Sequence, residues 1–185
     1  PLHTLYNWIP NGLHADEIIF FPDACPGKSP LPTGTVAITK QTDWRKFAVS
    51  DCGCGMLLAK SKYLHTDFDT KIWDKIYLDL KLQKGKLGDL GSGNHFLDAL
   101  RSDRDDYLYF LIHTGSRDES KLVDHLVDQP KKFDLTFESV CNWAADNRKA
   151  VLKIVEKYFG RTEVILDKNH NHFELAGDGV IIRKG

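Results

Sequence analysis

Tyr107-Leu108-Tyr109-Phe110-Leu111-Ile112 runs without a break into His113-Thr114-Gly115-Ser116-Arg117. Six apolar or aromatic residues after the charged loop 101–106 read as a buried β-strand, too short and too aromatic for a helix. The polar run that follows then begins at a strand end, where a rigid scaffold presents side chains to a cleft. Working outward, Phe137, Val140, Cys141, Ala144, Val151, Ile154 and Val155 recur at helical spacing over 134–159, with Gly160 as the stop. Residues 34–39, 164–166 and 180–182 are short and β-branched, so they read as strands. Residues 47–61 read as two strand arms about a glycine turn at 51–55, and the prolines of 22–34 make that stretch a loop. The expectation is an α+β fold, with mixed β-sheets packed on one long helix around a cleft at the strand ends.

The 185 residues fit one domain, 1–185, and composition excludes several classes. With 42% hydrophobic and 28% charged residues the chain is no disordered segment. A net charge of −1 gives no global attraction to polyanions, so such a partner needs a local patch. No apolar run approaches a membrane span, and Pro1-Leu2-His3-Thr4 has no signal-peptide pattern. Cys25, Cys52, Cys54 and Cys141 are too few and too clustered for a disulfide scaffold, which favours a reducing, cytoplasmic setting. The missing initiator Met and the end at Ile181-Ile182-Arg183-Lys184-Gly185 suggest a fragment or a shortened form.

The chemistry-bearing residues fall at turns. Asp51 and Cys54 flank Cys52-Gly53, and an acid and a thiol so close in a glycine turn can converge on one cation. Asn94 and His95 end the glycine-rich run 88–93, His113 closes the strand, and His170 lies in Asp167-Lys168-Asn169-His170-Asn171. Each alone has an ordinary structural explanation; together, one Asp, one Cys and three His make an economical two-metal set. By affinity order such a set holds zinc as readily as manganese. His172 shares a strand face with His170 and is the lesser candidate. The 88–93 turn can point backbone N–H groups at a phosphate, and Ser116 and Arg117 add a hydroxyl and a fork-shaped donor. Lys149, Lys153 and Lys157 form a basic stripe on the long helix beside Arg148. Trp143 and Trp44 could stack bases beside it, but burial is the commoner state of such tryptophans.

Taken in order, Pro22-Asp23-x-x-Pro26-Gly27, Asp51-x-Gly53-Cys54-Gly55-Met56, Gly88-x-Leu90-Gly91-x-Gly93-Asn94-His95-Phe96, His113-Thr114-Gly115-Ser116-Arg117, Asn142-x-Ala144-x-x-Asn147-Arg148, His170-Asn171 and Arg183-Lys184-Gly185 resemble the RtcB family of RNA-splicing ligases, in its N-terminal and central parts. The resemblance implies a GTP-dependent RNA ligase with two manganese ions. It would join 2′,3′-cyclic-phosphate or 3′-phosphate ends to 5′-hydroxyl ends through a guanylylated intermediate. By motif, Cys54 would bridge the metals, Asp51 and His95 would complete one site, and His113 and His170 the other. Asn94, His95, Asp98, His170 and Asn171 would contact the nucleotide; Ser116, Arg117, Arg148 and Lys149 would contact phosphate or RNA. The family's guanylylated histidine lies beyond Arg-Lys-Gly, a segment this sequence does not contain. Asp98 stands where Glu is usual, Cys25 and Ile182 where His is usual, and Asp118 where Gly is usual. Two rival expectations are a degenerate RtcB-like metal- or RNA-binding module and a metal-dependent cyclic phosphoesterase.

Overall fold

The computed structural model describes residues 2–27, 29–48 and 50–185, Leu2 by its backbone alone. Lys28, in the expected 22–34 loop, and Val49, in the expected first arm of 47–61, lie outside the described residues, as does Pro1. Among the described residues the order is α1 (Leu2–Trp8), β1 (Glu17–Cys25), β2 (Thr33–Thr39), β3 (Gly55–Leu64), α2 (Thr70–Lys81), β4 (Phe96–Arg101), β5 (Tyr107–Thr114), α3 (Lys121–Asp124), α4 (Pro130–Phe159), β6 (Glu163–Asn169), β7 (Asn171–Ala176) and β8 (Gly179–Lys184). The class is α+β, with two four-stranded sheets and one long helix. Among the described residues every strand pairing is antiparallel, which corrects the expectation of mixed sheets.

The chain forms two compact units. One comprises Pro1–Gly53, Asp118–Cys141 and His170–Gly185; the other comprises Cys54–Arg117 and Asn142–Asn169. The second unit holds the sheet β4-β5-β3-β6. In β5 the aromatic run is half-buried by alternation rather than buried throughout. Leu108, Phe110 and Ile112 are within 3% of full burial, while Tyr107 is 38% exposed. Their face packs with Leu57 and Ala59 of β3, Ile76 and Leu80 of α2, and Val151, Ile154, Val155 and Phe159 of α4. Each such large side chain contributes about 1.5–3 kcal/mol by leaving water. Asp69 caps α2 by accepting a hydrogen bond from the Lys71 N–H at 2.8 Å.

The first unit holds the sheet β1-β2-β8-β7. Its core gathers Leu31, Ala37, Trp44, Phe47, Val123, Phe133, Phe137, Val140, Val180 and Ile182. Trp44 is buried, the commoner state of a tryptophan, and offers no face to a base. Its ring lies 4.4 Å from that of Phe173, and the Arg45 guanidinium, bonded twice to Asp134, covers it at 4.3 Å. Three further expectations are corrected. The 22–34 loop begins late, because β1 runs through Pro22 to Cys25; as an edge strand with a bulge between Phe20 and Cys25 it tolerates a residue lacking an N–H. Among the described residues the first arm of 47–61 forms no strand, and a 3₁₀ turn at Trp44–Phe47 precedes the 51–55 turn. The long helix starts four residues before the expected 134, with Pro130 in its first turn, where no N–H is needed. None of the described helices is long and apolar enough to cross a membrane.

Candidate metal centre

In the second unit three of the predicted ligands meet. Cys54 immediately precedes β3, His95 immediately precedes β4, and His113 is the penultimate residue of β5. Pairing of Gly55 with Thr114 and of Phe96 with His113 brings these three strand ends together. The Cys54 Sγ lies 3.2 Å from His113 Nε2 and 3.5 Å from His95 Nε2, and the three ligand atoms fall within 4.8 Å of one another. Cys54 and His113 are buried and His95 is half-buried, so the cluster is shielded on one side and reachable on the other.

The outer contacts fix the rings. His113 Nδ1 lies 3.0 Å from the Asn94 carbonyl, which can only accept, so Nδ1 carries the proton and Nε2 turns a lone pair toward Sγ. His95 is held the other way. Arg117 Nη1 lies 2.7 Å from His95 Nδ1, and a guanidinium can only donate, so the ring proton sits on Nε2. For His95 to offer Nε2 to a cation, the ring would need its other tautomer, with Nδ1 protonated and no longer accepting from Arg117. Arg117 itself has φ +57°, a left-handed conformation that costs an L-residue about 1–2 kcal/mol. Its guanidinium lies against the backbone of Gly91, which has no Cβ to obstruct it.

A buried clamp supports the cluster. Asn147 accepts from the Gly88 N–H at 2.7 Å and donates to the carbonyls of Asp89 at 2.9 Å and Gly115 at 3.3 Å. It thereby ties the glycine-rich loop to the end of β5. Arg148, expected to touch RNA, is 1% exposed. Its partners are Asp167 at 2.6 Å, Asn169 at 2.7 Å and the Thr114 carbonyl at 3.4 Å, so it braces the strand ends from inside. Ser116, a candidate phosphate contact, is fully buried. Asn94 and Asp98 are exposed; Asp98 lies on edge strand β4, on the face shared by Phe96 and His113. Lys149 is exposed and paired with Asp146, and Lys157 of the same stripe is paired with Asp79.

The other predicted site residues belong to the first unit. Asn171 donates to the Asp51 carbonyl at 3.0 Å and accepts from the Gly185 N–H at 3.0 Å, while Gly185 also donates to the His170 carbonyl at 3.2 Å. Ser50 and Asp51 have φ +66° and +60°, left-handed like Arg117, so a predicted ligand sits in a strained turn. Burial raises the Cys52 thiol well above its ordinary value, so it stays protonated. Iodoacetamide at pH 8 is therefore expected to modify exposed Cys25 and to react with Cys52 at least roughly 100-fold more slowly, by peptide mass spectrometry. Equal labelling would contradict the burial argument.

Fold and cluster together define an α+β protein with a Cys/His/His group able to hold a metal ion. Among known proteins, the chain is 24% identical to the RNA-splicing ligase RtcB2 of Escherichia coli over 234 aligned positions. The match covers the whole chain and 60% of the relative's length. No protein-family model matches.

Proposed function

We propose that the chain carries the metal centre of an RNA ligase of RtcB type, an enzyme that acts on RNA ends with divalent metal and GTP. The contact of one buried thiol with two imidazole nitrogens carries this reading, at 3.2 and 3.5 Å. A thiolate can bridge two cations, and paired cations suit successive phosphoryl transfers. The donor set fits a divalent ion: His113 already presents Nε2, and His95 can do so once Arg117 turns away. When bound, such an ion supplies Lewis-acid stabilisation of a phosphoryl oxygen.

On the sequence motifs, Asp51 and His170 are the further ligands, manganese the metal, and Asn94, His95, Asp98, His170 and Asn171 the nucleotide contacts. The substrates of this reading are RNA 3′-phosphate or 2′,3′-cyclic-phosphate ends and 5′-hydroxyl ends, and its setting is the cytoplasm. Arg117, which touches His95 at 2.7 Å and lies 3.9 Å from Asp89, serves it as an anion-binding fork. The similarity to an RNA-splicing ligase supports this assignment; the 60% coverage makes the whole protein's reaction part of the proposal.

The test is metal content by mass spectrometry after growth with manganese and zinc, wild type against Cys54→Ala. Loss of an outer partner typically weakens a metal about 10- to 100-fold, and loss of a ligand is expected to exceed that. Equal loading of the two proteins would remove the reading.

A further inference from the structure

A cavity of about 380 Å³ opens beside Arg117, between the end of α2 and the glycine-rich loop, wholly within the second unit. Tyr77 and Lys81 stand one helical turn apart on one wall, Lys84 follows, and Gly91, Ser92 and Arg117 form the opposite side. Three cations face one acid, Asp89. That carboxylate is already engaged: it accepts from the Gly85 N–H at 2.8 Å and the Gly91 N–H at 2.9 Å, and lies 3.9 Å from Arg117 Nε. The cavity therefore keeps a positive excess although the chain as a whole carries −1.

We propose that this cavity is a single-stranded RNA track, in which Lys81, Lys84 and Arg117 hold consecutive phosphates and Tyr77 stacks a base, leading the strand to the Cys54 cluster. The inference rests on the proposed function and adds the path of the substrate. Arg117 joins the two places, since it lines the cavity and also touches His95 at 2.7 Å. Its guanidinium lines the cavity, where a phosphate is within reach of its donors. Tyr77 is 55% exposed on the rim, with Lys81 Nζ 4.5 Å from its ring centre. An aromatic face open on one side, beside cations, suits a strand that continues past it. A free nucleotide would call for a more enclosed pocket. Stacking on tyrosine is tolerant of base identity, so little sequence preference is expected.

The test measures binding of a 5′-fluorescein oligouridylate ending in a 3′-phosphate, by anisotropy, with the full chain and a chelator present. Lys81→Glu with Lys84→Glu is expected to weaken binding at least tenfold and to reduce the salt slope by about 1.4, two phosphate contacts on a single strand. Tyr77→Ala is expected to weaken it roughly tenfold with the salt slope unchanged. Lys131→Glu with Lys132→Glu, the same charge change at exposed positions elsewhere, is expected to have less than a twofold effect. The proposal is overturned if the wild type does not bind, if both charge-reversal pairs weaken binding equally, or if Tyr77→Ala binds as the wild type does. It is also overturned if GMP displaces the oligonucleotide and the Lys81/Lys84 change weakens GMP binding instead. Because the assay excludes metal, a failure of the RNA track is distinguishable from a failure of the metal centre in the Cys54→Ala experiment.

Discussion

Arg148→Met is expected to destabilise the protein by about 3–5 kcal/mol, the penalty for breaking a buried ion pair from one side. The side chain is 1% exposed and fixes three separate groups: the Asp167 carboxylate and the Asn169 amide of β6, and the Thr114 carbonyl of β5. Methionine fills a similar volume but donates nothing, so Asp167, only 16% exposed, keeps a charge without a counterion. Thermal unfolding followed by circular dichroism should shift downward by roughly 10 °C for a chain of this length. Adding Asp167→Leu should recover part of that loss. It removes the stranded charge while Asn169 and the Thr114 carbonyl still lack their donor. If Arg148→Met unfolds at the wild-type temperature, the guanidinium is not what holds β5 and β6 at these ends. A double variant no more stable than the single one would place the loss in packing rather than charge.

The same arginine shows how far sequence could be read. Its proximity to Lys149 and Lys153 invited assignment to a basic surface, because helical spacing tells which residues share a face but not how deeply that face is sunk. Arg148 lies one position from the buried Asn147, on the side of α4 that meets the strand ends. The strands that carry dense β-branched or aromatic runs, β2, β5 and β8, were legible, as was the periodic part of α4. β1 was not, because a proline ordinarily breaks a strand and the edge position that tolerates it is a tertiary property. β4 was hidden by weak alternation in Phe96-Leu97-Asp98-Ala99-Leu100-Arg101, and α2 by its charged residues. Among the site residues, Cys54, His95 and His113 stood out as unusual residue types at turns, and strand pairing explains why they meet. Asn147 was visible only as part of a motif, since nothing in its own surroundings tells that it spans a loop and a strand end. The Arg117–His95 bond, which sets the imidazole tautomer, depends on a left-handed residue that sequence alone gives no reason to expect.

Gly55→Ala is expected to remove at least nine-tenths of the bound metal while leaving Cys54, His95 and His113 in place. Gly55 opens β3 and pairs with Thr114 on one side and Asn169 on the other, so it is enclosed by two backbones. A Cβ added there overlaps the Lys168 carbonyl oxygen and comes within 2.8 Å of the Asn169 Cα. Both neighbours are main-chain atoms in a paired strand and cannot rotate aside as a side chain can, so β3 and β6 have to part at this end. Overpacking of this kind costs typically about 1–3 kcal/mol, which a folded domain survives. Cys54, one residue before, moves with the displaced backbone. A metal set tolerates only about 0.2 Å of error in its ligand distances, so its affinity falls far more than the stability does. Leu58→Ala, further along β3 and opposite Leu111 and Leu166 rather than a ligand, should retain wild-type metal and serves as the control. Metal content and thermal unfolding measured on both variants separate the outcomes. Loss of metal with a modest drop in unfolding temperature for Gly55→Ala alone supports the strand-end geometry as the source of the site. Full loading of Gly55→Ala would mean that the thiol is positioned by something other than the approach of β6 to the first residue of β3.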